Sequence, residues 1–229
     1  METEQTQQKE SQELGTLLRL SGILFAILII VGALIWGLGQ FLNNSSTETS
    51  TSSVNTISVS DQIKGNREAK VVLVEYSDFQ CPACAAYYSV LKQVAADFKS
   101  DVAFVYRHFP LRQIHQNSEL AARAAEAAGK QGKFWEMHDL LFENQKEWSS
   151  EKKAEEFFKR YAESLSLNTV QFETDINSSE IRVKVNNDYQ SGVGFRVNAT
   201  PTFFLNGEKL QNPRTYDEFK SLLQKAISK

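Results

Sequence analysis

The chain opens with polar residues and then turns apolar without interruption, since Leu20 to Leu42 carries no charged side chain. As a helix rising about 1.5 Å per residue, that stretch would span roughly 35 Å, enough to cross a bilayer with some tilt. Asn43 to Ser60 is a Ser/Thr/Asn run of low apolar content, the composition of a flexible linker. From Asp61 the pattern becomes α/β. Val71-Val72-Leu73-Val74 is a continuous β-branched run, as expected of a strand buried on both faces of a parallel sheet. A helix is predicted from Pro82 to Phe98 and a second strand from Val102 to Tyr106, which together make a right-handed βαβ unit.

Residues from about Gln113 to Gln190 read differently. Glu119 to Ala128, Phe134 to Phe142 and Lys152 to Leu165 have helical period, and no strand-like run interrupts them. Thr202 to Leu205, the Asn206-Gly207 pair and Glu208 to Leu210 then predict a hairpin with a type I′ turn. Thr215 with Glu218 three positions on is a capping box that opens a last helix. The expected division is a cytoplasmic tail over 1–19, an anchor over 20–42, a linker over 43–60, and one domain over 61–229 with a helical insertion at about 113–190.

Charge orients this arrangement. Lys9 and Arg19 precede the apolar segment and the next basic residue is Lys64, so the N-terminal side is expected in the cytoplasm and the domain outside. A cleaved signal peptide would also export the domain, but its apolar region runs only about 7–15 residues. The expected location is a single pass of the cell membrane through Leu20–Leu42. The formal charge is −3 with no basic block, which argues against a nucleic-acid surface.

Export invites structural disulfides, yet the protein has two cysteines, both in Cys81-Pro82-Ala83-Cys84. No further pair staples the fold or completes a zinc cage, and His108 and His115 lie outside the usual zinc spacing of about 3–5 residues. No metal and no other cofactor is expected. The motif stands where a buried strand turns into a helix. Pro82 suits the first helical position, which places Cys81 at the N-cap. Unpaired N–H groups and the helix dipole favour a thiolate there, and such settings lower a cysteine pKa to roughly 3.5–7.5. Cys84, one turn in and more buried, is near enough for a Cys81–Cys84 disulfide. The pair reads as one exposed, activated sulfur and one resolving sulfur. The three histidines read as structural or surface residues.

Four blocks carry a family resemblance: Val74 to Cys84, Arg107 to Leu111, Gln131 to His138, and Thr200 to Phe204. In this order they resemble the DsbA-like thioredoxin-fold thiol–disulfide oxidoreductases, over about Ile63 to the C-terminus. The resemblance implies a thioredoxin core interrupted by a helical subdomain, which accounts for 113–190. It implies that Pro201 is the family's cis-proline beside the CxxC, and that Thr200 offers its backbone to a substrate peptide as an added strand. Pro82 and Ala83 would share that substrate contact. Glu75 matches the family's buried acidic residue, which desolvation would equip to exchange a proton with Cys84; a strand-end glutamate reaching water is the plainer alternative. Ala83 stands where well-known members often carry an aromatic residue or histidine, and Ala199 where a glycine is usual before Thr-Pro.

The function expected is that of an extracytoplasmic oxidoreductase introducing disulfides into reduced or misoxidised exported proteins. A reductase or isomerase of the same fold, or a non-enzymatic binder of unfolded exported chains, are the alternatives. The resemblance further implies a membrane partner of the DsbB or VKOR type that reoxidises the pair. No dimerisation domain is apparent, so a monomer is expected.

Overall fold

The computed structural model describes residues 30–33 and 53–229. Residues 30–33 are helical. The rest of the expected anchor, Leu20–Leu42, the tail over 1–19 and residues 43–52 lie outside the described residues. Among the described residues, no helix is long and apolar enough to cross a membrane.

Residues 53–229 are built on a five-stranded sheet. Its strands are β1 (Gln62–Gly65), β2 (Val71–Ser77), β3 (Val102–His108), β4 (Thr202–Leu205) and β5 (Glu208–Lys209). Their order is β1-β3-β2-β4-β5. β2 and β3 are parallel, joined through helix α1 (Pro82–Asp97), whereas β1 on β3, β4 on β2 and β5 on β4 are antiparallel. β2 runs three residues beyond Val74, so Glu75 lies within the strand rather than at its end.

Period-two alternation explains why β2 is apolar throughout. Val71 and Leu73 pack with Val94 of α1 and Phe98 at its C-terminal end, and with Phe219 and Leu223 of the C-terminal helix α8 (Tyr216–Ile227). Val72, Val74 and Tyr76 face the other way, against Ala103, Val105, Phe109 and Phe204. That second face is covered by α7 (Ser179–Gly194), where Gly192 allows a close approach. A Cβ there would sit 2.6 Å from the Phe109 ring. The hairpin forms as its sequence predicts, with φ of 50° at Asn206 and 91° at Gly207. Thr215 caps α8 by accepting from Glu218 N, but the Glu218 carboxylate reaches Arg214 N rather than the cap residue's own amide.

Between β3 and β4 lie α2 (Ser118–Gly129), α3 (Phe134–Glu143), α4 (Gln145–Trp148), α5 (Ala154–Ser164), α6 (Thr169–Ile176) and α7. Alanines of α2 pack with Met137, Leu141, Trp148, Phe158 and Ile176 in a core that also takes in Phe79, Cys81 and Cys84. The helical block thus reaches the sulfur site directly.

The expected linker over 43–60 requires correction at its end. Val54 is only 2 % exposed and packs with the β2–β3 core. Arg107 of β3 donates to Val54 O at 2.9 Å and Thr56 O at 2.8 Å, and pairs with Asp61 at 2.9 Å. One apolar side chain and a buried guanidinium therefore fasten a segment whose composition alone reads as a free coil.

Candidate active site

Cys81 is the N-cap of α1, with extended backbone (φ −72°, ψ 121°), and Pro82 follows in the first turn. The dipeptide Asp78–Phe79 leads into it, and Cys81 N donates to Asp78 O at 3.0 Å. The Asp78 carboxylate fixes this turn by accepting from Gln80 N, Leu111 N and His115 Nδ1 at 2.7–2.9 Å. From the helical block, Gln145 Nε2 donates to Phe79 O at 2.7 Å and Cys81 O at 3.0 Å. A residue of α4 therefore holds the carbonyl of the reactive cysteine. Nothing in the spacing of Gln145 signals this role, because the contact spans 64 residues.

Both cysteines are free thiols in this structure. Cys81 is less open than its N-cap position suggests, with 7 % of its surface exposed, while Pro82 and Ala83 beside it are exposed. The sulfur lies 3.4 Å from Thr200 O, to which the thiol donates. The Thr200–Pro201 peptide is cis, and both residues are buried. The meeting follows from topology: β2 ends at the edge where antiparallel β4 begins, with Tyr76 opposite Thr202.

The electrostatics divide the two sulfurs. The Cys81 thiol is held down at about 5, chiefly because the Cys84 thiol donates to its thiolate; the Thr200 hydroxyl and the N–H groups of Ala83 and Cys84 help, against the opposing effect of burial. Cys84 is 1 % exposed, and burial pushes its thiol well up, with the negative charges of Cys81 and Glu75 adding to the effect. Alternation along β2 puts Leu73, Glu75 and Ser77 on the face that α1 covers. Glu75 is partly buried and is pushed up to about 7 by desolvation, with the Ser77 hydroxyl pulling the other way. Beside them Tyr106, opposite Glu75 on β3, carries a buried hydroxyl without a hydrogen-bond partner in the protein.

His108 and His115 take structural contacts, as read from the sequence. His108 Nε2 pairs with Glu126 at 2.8 Å. Among the described residues, His108, Glu126 and Asp188 are the one group close enough to hold a metal ion. Lys184 already lies 2.6 Å from Asp188 and 3.7 Å from Glu126, so its ammonium supplies the cation that these carboxylates need.

The thioredoxin family matches this chain over residues 58–225. The chain belongs to that family. Among solved thioredoxin-fold structures, BdbD from Bacillus subtilis in its oxidised form is 26 % identical, with a TM-score of 0.66, and the match covers 74 % of this chain and 94 % of that one. The α-DsbA1 of Wolbachia pipientis shares the fold at 20 % identity, with a TM-score of 0.68 and coverage of 75 % and 93 %. A curated relative, the Na(+)/H(+) antiporter NhaA 1 of Mycolicibacterium vanbaalenii, is 40 % identical over 157 residues, which are 67 % of this chain and 24 % of the antiporter. The chain thus spans about a quarter of the length of the curated relatives it matches. The solved structures it resembles include proteins named as DsbA, and this thioredoxin-family chain shares their fold.

Proposed function

We propose that the chain is a membrane-tethered, extracytoplasmic oxidase that introduces disulfides into exported proteins through Cys81 and Cys84. The observation that carries this reading is the opposite displacement of the two thiols, Cys81 down to about 5 and Cys84 well up. A sulfur held as a thiolate is a good leaving group, and stabilising it in the dithiol makes the disulfide more oxidising. In the oxidised protein a substrate thiolate attacks Cys81 Sγ, the S–S bond breaks, and the electron pair stays on Cys84. Glu75, protonated at rest near its raised pKa, gives its proton to the Cys84 thiolate, whose burial makes a lasting charge costly. A second substrate thiolate then attacks the substrate sulfur of the mixed disulfide, and Cys81 leaves as a thiolate. Two electrons have passed from substrate to enzyme, and a membrane partner of the DsbB or VKOR type takes them away.

Exposed Pro82 and Ala83, with buried Thr200 and Pro201 behind the sulfur, form the face for a substrate strand. The apolar, uncharged run Leu20–Leu42 supports the tether, and Lys9 and Arg19 before it support export of the domain. Relatives named as antiporters agree with work beside a membrane. The test is trapping in the intact chain. Cys84→Ser should accumulate mixed disulfides with exported proteins, and Cys81→Ser should trap none. Equal failure of both variants to trap would remove the assignment. A reduction potential near that of cytosolic reductants would replace the oxidase with a reductase.

A further inference from the structure

Behind the sulfur pair lies a cavity of about 40 Å³ whose lining runs from Cys84, Glu75 and Tyr106 to His138, Asp139 and Lys92. The first group is buried or partly buried, whereas Lys92 is exposed and Asp139 partly so. At roughly 10–15 Å³ of such space per water, the cavity has room for about three or four. Its inner end is polar. The buried hydroxyl of Tyr106, which lines the cavity with Glu75 and Cys84, has no partner in the protein. A buried hydroxyl left without a partner is costly, so water joining it to Glu75 is favoured.

At the outer end, His138 is a titratable ring inside an aromatic cage. Phe142, Tyr106, Trp135 and Phe79 have ring centroids 5.0–5.6 Å from it. A histidine that only filled space would need no acid beside it. Here Nδ1 is 3.0 Å from Asp139 Oδ1, which leaves Nε2 as the ring nitrogen without a protein partner, in a residue that lines the cavity. An imidazole oriented by a carboxylate through one nitrogen accepts and releases protons at the other.

We propose that this cavity is a hydrated proton path and that His138, oriented by Asp139, is its outer station, exchanging with solvent the proton that Glu75 passes to and from Cys84. The inference rests on the role proposed for Glu75. When Cys84 leaves as a thiolate it takes the Glu75 proton. The Glu75 carboxylate recovers one from the adjoining water, and His138 replaces that proton from bulk solvent at Nε2. Reoxidation of the dithiol runs the same transfers backwards, so no proton is gained or lost over a cycle. Burial in the cage holds His138 below the ordinary histidine range, and Asp139 opposes that shift. Besides Asp139, Glu75 and Cys84, the groups facing the ring are Lys64 from β1, Tyr88 and Lys92 from α1, and Tyr106 and His108 from β3. Lys64 and His108 resist a second positive charge there, so the ring rests neutral with its Nε2 lone pair free.

The test is single-turnover reduction of the oxidised full chain by glutathione, followed by tryptophan fluorescence across pH 5–9 in H₂O and D₂O. His138→Gln and Asp139→Asn should each slow Cys84 departure about tenfold, less than the 10²–10⁴ of a direct acid–base group because water still enters. The solvent isotope effect should rise in both, while the reduction potential stays constant, because a path alters rates and not end states. A purely structural role would move the potential or the melting temperature instead. Asp139→Asn leaves the aromatic cage intact, so the test survives misfolding of the first variant. Unchanged rates and isotope effects in both overturn the path. If Glu75→Gln is slow while these two are normal, only the exit is wrong; if Glu75→Gln is also normal, the role of Glu75 falls with it.

Discussion

Raising the pH of the reduced protein should stabilise it in a window set by Cys81. An unfolded cysteine titrates near 8.5, and folded Cys81 near 5. The folded value is the lower one, so the stabilisation is fully present above the unfolded pKa and is lost as pH falls through 5. With one pKa unit worth 1.36 kcal/mol, moving from pH 5 to pH 7 adds about 2 kcal/mol, and the full gain above pH 8.5 is about 5 kcal/mol. Glu75 works in the opposite sense. Its folded value of about 7 is raised, so its contribution is fully present below the unfolded pKa and is lost as pH climbs through 7. Glu75 ionises in both redox forms, however, whereas the Cys81 thiol exists only in the dithiol. The measurement is therefore a difference: thermal melts of reduced and oxidised protein, side by side, from pH 4.5 to 8. The reduced form should gain about 4–8 °C on the oxidised form between pH 5 and 7, at roughly 2–4 °C per kcal/mol for a domain of this size. Iodoacetamide alkylation of Cys81 should show a midpoint near 5. A flat difference between the two melting curves, with alkylation turning on only near pH 8.5, would refute the electrostatic account of the site.

Two further outcomes test the scaffold. Asp61→Ala leaves the buried Arg107 guanidinium without its carboxylate, and the loss should be about 3–5 kcal/mol by urea unfolding, as for other broken buried pairs. Gly192→Ala drives a methyl into the Phe109 and Tyr76 rings and should cost about 1–3 kcal/mol in the same assay, with alkylation of Cys81 unchanged.

The legible parts of this fold were those written in local chemistry. The β-branched run of β2, the Asn206-Gly207 turn, the Thr215 cap and the alanine periodicity of α2 each have a cause within a few residues, and each stands close to its expected place. The N-cap position of Cys81 was likewise legible, because Pro82 marks where the helix starts. What was not legible depends on distant partners. β1 is four residues long with no apolar alternation, and exists because β3 offers it an edge. The fastening of residues 54–61 depends on Arg107, a charged residue inside a buried strand, whose partners lie about fifty positions away in sequence. Gln145, His138 and the cavity belong to the packing of the helical block on the sheet, which no spacing rule encodes. Glu75 was placed on the right strand but at its end, because the apolar run stops one residue before it.

The meeting of Cys81 with Thr200 has a consequence for how the protein is made. Synthesis runs from the N-terminus, so the CxxC exists for well over a hundred residues of elongation before the Thr200 carbonyl is joined to the chain. A short helix start without its tertiary neighbours is marginal in water, and in that interval the nascent sulfur is an ordinary thiol. The share of its acidity that Thr200 supplies arrives only when the last strands close the sheet. A half-finished chain thus lacks one of the groups that hold the thiolate, and the last increment of reactivity comes at the end of folding.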